Sequence, residues 1–316
     1  MFERIETFEY ENENIHSIIH EPDQNYIFDK KIMIVFLHGW AGYRVGPHNI
    51  LVEIARYLSE KGFYCCRFDF RGRGFSDGNC EVATTQTMLA DLEVVLTGLR
   101  EKYKPYHIIL LGICIGAKLA IYYARNGNQE INNVIEISSN LLVENNKNIE
   151  LRIKKASYVL ISYFYKFFLK ETWNKLLTNQ INFKLIIKRI IKPNSKKILE
   201  KSMLEIFFEK KTDYHAPIIK NIINKNASKK MEYISNISTT GKVPFSNFNG
   251  EILSIHGQYD PEAALALKQI KYLCKKNKIK HSFTIISKAN HNFYSIKWKK
   301  EIIEFIGKWL DNKYLS

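Results

Sequence analysis

Cysteine is scarce in this 316-residue chain, and the five present (Cys65, Cys66, Cys80, Cys114 and Cys274) form an odd, irregularly spaced set. Such a set suits neither a disulfide framework nor a zinc site, so reduced thiols are expected. The nine histidines include no pair at metal-ligand spacing with a carboxylate, and no metal is predicted. No segment reaches the roughly 18 uninterrupted apolar residues of a membrane span, and Met1-Phe2-Glu3-Arg4-Ile5-Glu6 has no basic stretch leading into an apolar one. A cytoplasmic protein without a transmembrane segment is the expectation. Nucleotide signatures are also missing. Ala117-Lys118-Leu119 stands where a phosphate loop needs Gly-Lys-Ser/Thr, and after Gly72-Arg73-Gly74 the third glycine falls at Gly78, one position late for a dinucleotide fingerprint. No cofactor is predicted.

What the chain has is apolar mass and an excess of positive charge. Hydrophobic residues make up 46%, with 19 Phe and 18 Tyr, enough for one large core or two modest ones. The net charge is +15. Between 151 and 232 stand 17 Lys and 2 Arg against 6 acidic residues, so 13 of that excess lies in one segment. Its lysines alternate with Tyr158, Tyr163, Phe164, Tyr165, Phe167 and Phe168. That combination suits an acidic acyl carrier protein, the phosphates of a CoA arm or an anionic lipid surface, and equally a solvated lysine surface. No recognition motif accompanies the charge, so nucleic acid is not predicted as a partner. A non-catalytic basic binding protein stays open as a reading of another class.

Residues 31–139 alternate strand and helix signals. Strands are predicted at 32–37, 63–70, 107–111 and 134–138, and helices at 47–60, 84–103 and 117–125. Such alternation implies an α/β fold with a mostly parallel, doubly wound sheet. The grammar returns after Pro244, with strands at 251–256 and 281–287 and helices at 261–276 and 296–310. Residues 2–10 and 15–20 are expected to add antiparallel edge strands. Between the halves, 141–243 reads as an inserted helical lid, its stretch 159–169 too short to cross a bilayer. The expected organisation is a core in two parts, 1–140 and 244–316, around that lid.

The run Gly112-Ile113-Cys114-Ile115-Gly116 follows one predicted strand and leads into a helix. It has the G-x-S-x-G spacing of a nucleophile elbow with cysteine at its centre, and an ordinary buried turn would read the same in isolation. Two further residues occupy corresponding positions: Asp260 in the loop after strand 251–256, and His291 in the loop after strand 281–287. In a parallel sheet all C-terminal strand ends share one edge, so Cys114, Asp260 and His291 should converge. Taken singly, Asp260 before Pro261 reads as a helix cap and His291 as a loop residue. Together they supply a nucleophile, an acid and a base in the order nucleophile, acid, histidine. The backbone N–H groups of Trp40 and Ile115 are the candidate oxyanion donors, and His38 reads as structural.

The runs His38-Gly39-Trp40-Ala41-Gly42-Tyr43-Arg44-Val45-Gly46-Pro47-His48 and Arg67-Phe68-Asp69-Phe70-Arg71-Gly72-Arg73-Gly74-Phe75-Ser76-Asp77-Gly78, with Cys114, Asp260 and His291, resemble the α/β-hydrolase superfamily. Within it the chain is similar to lid-bearing serine aminopeptidases and acylglycerol lipases, and to hydrolases of exosortase and polymer-biosynthesis loci. The likeness covers about 31–139 and 244–316. It implies hydrolysis or transfer at a carboxylic ester, thioester or amide. Most of those relatives carry serine, although dienelactone hydrolases and some thioesterase-like members use cysteine. A thiol beside histidine favours thioester exchange, so a thioesterase-like hydrolase of a biosynthetic pathway is expected, with acyl transfer to an amine or alcohol as the alternative.

Overall fold

The computed structural model describes residues 1–23, 31–125, 131–139 and 248–314. The lid expected at 141–243, its basic and aromatic residues included, lies outside the described residues.

Eight strands form one sheet: β1 (Phe2–Tyr10), β2 (Glu13–Glu21), β3 (Ile32–Leu37), β4 (Tyr64–Phe68), β5 (His107–Ile113), β6 (Ile131–Ile137), β7 (Glu251–Gly257) and β8 (Lys280–Ile286). Their spatial order is β1-β2-β4-β3-β5-β6-β7-β8. From β4 to β8 every pairing is parallel, while β1 pairs antiparallel with β2 and β2 antiparallel with β4. Among the described strands β1 and β8 are therefore the edges. β2, expected as a second edge strand, is covered on both sides because Ser17 to His20 run against Cys65 to Phe68.

Helices α1 (Ile50–Glu60), α2 (Thr85–Tyr103), α3 (Ile115–Arg125), α4 (Ala263–Lys276) and α5 (Ile296–Tyr314) complete the described core. α1 and α5 cover one face, where Ile54, Leu58, Ile302 and Ile306 meet Ile34, Phe36, Ile109 and Leu253. α2, α3 and α4 cover the other, where Leu92, Leu96, Ala120 and Ile270 meet Met33, Val35, Leu110 and Val134. The central strands read as unbroken apolar runs because both faces are buried. Among the described residues no helix is long and apolar enough to cross a membrane.

Local chemistry sets the element ends. α2 starts at a reciprocal cap in which the Thr84 hydroxyl accepts the Thr87 N–H at 3.1 Å and the Thr87 hydroxyl accepts the Thr84 N–H at 2.8 Å. The helix expected at 47–60 begins regularly only at Ile50, after a 3₁₀ turn at Pro47–Asn49. His48 and Asn49 are left-handed there, with φ of 50° and 65°, and break the helical path.

Candidate active site

β5 runs to Ile113 and α3 begins at Ile115, so Cys114 alone makes the turn between them. Its φ is +57°, a left-handed conformation that few L residues adopt without strain. The flanking glycines make the turn passable. A Cβ at Gly112 would collide with the Gly116 carbonyl, and one at Gly116 with the carbonyls of Leu37 and His38. Helix α3 thus packs directly on the ends of β3 and β5, and the thiol stands half-buried above the sheet's C-terminal edge.

The same edge carries the other two residues. Asp260 lies in the turn after β7, its side chain 1% exposed. Its Oδ2 is 2.7 Å from His291 Nδ1. Its Oδ1 accepts the Glu262 N–H at 3.0 Å, but the N-cap of α4 is Glu262, with no side-chain cap bond, so Asp260 does not cap that helix. His291 follows β8, 28% exposed, and also hydrogen-bonds with the Cys114 side chain. Burial alone lowers the His291 imidazole, but the hydrogen bonds to Asp260 and Cys114 and the charges behind them outweigh it and raise the group to about 10. Asp260 shows the converse balance: burial raises it, and His291 with the Glu262 N–H brings it below the usual carboxylate range.

Of the two candidate oxyanion donors, Ile115 directly follows Cys114 in the chain and Trp40 follows Gly39. Ile115 is the first residue of α3, where N–H groups have no partner within the helix. Gly39 lies against Cys114, with a Cβ built there 3.5 Å from the Cys114 Cβ. The next residue, Trp40, is held from behind, because Arg73 Nε donates to its carbonyl at 2.8 Å and the guanidinium lies over its ring. His38 is fully buried. Its Nδ1 donates to the Gly39 carbonyl at 2.7 Å and its Nε2 accepts the Phe70 N–H at 3.2 Å. Burial holds it at about 4, so it is a neutral strut beneath the loop.

Two groups around this edge were not singled out from the sequence. The Asp69 carboxylate accepts the N–H groups of Arg44 at 2.6 Å and Phe75 at 3.0 Å and pairs with the Arg44 guanidinium, tying the loop after β3 to the loop after β4. Glu136 on β6 and His256 on β7 form a fully buried pair, Oε1 to Nε2 2.9 Å. The available signal was a charged or polar residue near the C-terminal end of each strand, Glu136 in β6, His256 in β7 and Asp69 just after β4.

The chain matches the alpha/beta hydrolase fold family over residues 32–297. It belongs to that family. Curated relatives are similar over short stretches: lysophosphatidylserine lipase ABHD12 of Danio rerio is 29% identical over 93 residues, 29% of this chain and 23% of that protein. The human mitochondrial palmitoyl-protein thioesterase ABHD10 is 28% identical over 113 residues, 34% of this chain and 35% of that protein. The chain thus spans only about a quarter to a third of the curated relatives it matches. Among solved structures, ferulic-acid-bound Est1E from Butyrivibrio proteoclasticus is similar with a TM-score of 0.59 at 13% identity, over 98% of this chain and 100% of Est1E. Mouse alpha/beta hydrolase domain-containing protein 10 gives 0.55 at 14% identity, over 99% and 100%. At these identities the structural likeness concerns the fold.

Proposed function

We propose that the chain is a cysteine hydrolase acting on acyl thioesters through an acyl-Cys114 intermediate. The observation that carries this reading is the contact series Cys114, His291, Asp260 at one sheet edge, with Cys114 at φ +57°. Cys114 gives its proton to His291 and its Sγ attacks the thioester carbonyl, while the N–H groups of Trp40 and Ile115 hold the developing oxyanion. The acyl carbon–sulfur bond to the leaving group breaks, and the departing thiolate takes a proton from His291. Water then attacks the acyl-cysteine, His291 removes its proton, and Cys114 leaves as the carboxylic acid is released. Asp260 fixes the ring through Nδ1 and stabilises the imidazolium throughout.

Cysteine favours a thioester over an oxyester on energetic grounds. Exchange of one sulfur leaving group for another is nearly isoenergetic, whereas an oxyester would be converted uphill into the acyl-cysteine. The short stretch shared with a protein named palmitoyl-protein thioesterase supports the same substrate class. A biosynthetic role and an acidic acyl carrier protein as donor complete the reading, the latter from the basic segment 151–232.

The test is a turnover panel of acyl-CoA and acyl-carrier thioesters set beside matched oxyesters, with and without added amines. Faster release of the thiol than of the alcohol supports the reading. Equal rates on matched pairs contradict it, and capture of the acyl group by an amine in preference to water makes the enzyme an acyltransferase.

A further inference from the structure

The buried Glu136–His256 pair sits one step behind the proposed acid, and nothing in the reaction so far uses it. Both side chains are fully buried. Glu136 spends its second oxygen on the Ser139 N–H at 3.1 Å, which pins the end of β6. His256 engages Glu136 through Nε2, and among the described residues its Nδ1 has no hydrogen-bond partner.

The pair joins the two halves of the site through a continuous set of contacts. The Cys114 N–H donates to the Ile137 carbonyl at 3.0 Å, next to Glu136, and the Ser138 N–H donates to the Ile255 carbonyl at 2.8 Å, next to His256. After His256 comes Gly257, where a Cβ would collide with the Ala289 and Asn290 carbonyls, so the turn bearing Asp260 lies flat against the loop bearing His291. The Asp260 N–H donates to the Gly257 carbonyl at 3.1 Å, and the Tyr259 N–H to the Ala289 carbonyl at 2.7 Å. His256 therefore stands where the strand hands over to the acid-bearing turn.

We propose that His256, clamped by Glu136, is a positioning residue that places a positive imidazolium behind Asp260 and so keeps the Asp260 carboxylate anionic and turned toward His291. This rests on the reading of Cys114, His291 and Asp260 as the catalytic residues.

The charges around the pair agree. Burial alone lowers the His256 imidazole, but Glu136, and Asp260 beyond it, outweigh that and raise it, while His291 opposes them. His256 in turn helps hold Asp260 down, after His291 and the Glu262 N–H. The ionisable groups facing His256 are thus Glu136 from β6, Asp260 from the turn after β7, His281 from β8 and His291 from the loop after β8. Glu136 is also faced by Cys274 of α4 and His281 of β8. Burying a lone carboxylate in this core would be strongly unfavourable without a cationic partner.

The test is the pH profile of kcat/KM and kcat for the aryl thioester para-nitrothiophenyl acetate, in full-length wild type and in the Glu136→Gln/His256→Gln variant, which retains a neutral amide pair. The account predicts an acid limb displaced upward by about one pH unit and kcat lowered about tenfold with KM unchanged. If the limb superimposes on wild type while Asp260→Asn has lost activity, the positioning role is wrong and the catalytic reading stands. If Asp260→Asn and Cys114→Ala both keep wild-type rates, the catalytic reading itself is wrong. Should the double variant fail to fold, Glu136→Asp, which keeps the charge but withdraws it by one methylene, decides the matter. Its limb should also move upward, and an unmoved limb overturns the proposal.

Discussion

The His291–Asp260 pair makes a quantitative prediction about stability at alkaline pH. His291 is raised from 6.5 to about 10 in the folded chain. Between those values the native state holds a proton that the unfolded state has released, so stability falls with rising pH. The contribution is fully present below pH 6.5 and lost as pH passes 10. At ~1.36 kcal/mol per unit the displacement sets a ceiling near 5 kcal/mol. His291 is 28% exposed and Cys114 shares the effect, so the part owed to Asp260 should be about 2 kcal/mol, the usual size of a charge-assisted hydrogen bond. The assay is urea unfolding of wild type and Asp260→Asn at pH 6, 8 and 10. Subtracting the two curves removes the titrating lysines, tyrosines and other cysteines common to both. Wild type should lead by about 2 kcal/mol more at pH 6 than at pH 10. A difference that is flat across this range would refute the reasoning, because the pair would then hold no extra proton.

Three further outcomes follow from the geometry. Cys114→Ala removes the second partner of His291, so its NMR titration midpoint should fall from about 10, and an unmoved midpoint would show that the thiol contributes nothing there. Gly116→Ala drives a methyl into the Leu37 and His38 carbonyls and should destabilise the fold by about 1–3 kcal/mol in urea, against no change if the contact relaxes freely. His38→Ala strands the Phe70 N–H and should cost about 1–3 kcal/mol in stability. The pH limbs of thioester turnover should stay in place in that variant, and a displaced limb would mean that His38 takes part in proton transfer.

The core was legible because its strands are short apolar runs ended by glycine or polar residues, as in Ile32–Leu37 before His38-Gly39. Strand ends were also enough to bring Cys114, Asp260 and His291 to one edge, since a parallel sheet aligns them whatever their separation in sequence. The turn at Cys114 proved tighter than expected, a single residue, because two glycines let α3 rest on β3 and β5. What was hidden depends on sheet order. Glu136 and His256 are 120 positions apart and meet only because β6 and β7 pair in register, Glu136 beside Ser254 and Ile137 beside Ile255. The break before α1 was hidden for another reason: left-handed His48 and Asn49 are not glycines, the residues whose presence would have signalled it. β2 read as an edge because its pairing with β4 reaches across about 50 residues of chain.

The central claim is a covalent one, and intact-mass analysis tests it most directly. Brief exposure to para-nitrothiophenyl acetate followed by acid quench should add one acetyl group, which peptide mapping places on Cys114. Cys114→Ala should acquire none, and iodoacetamide should modify Cys114 faster than the exposed Cys80. Absence of an adduct across aryl, CoA and carrier thioesters, together with alkylation of Cys114 no faster than Cys80, would contradict the account.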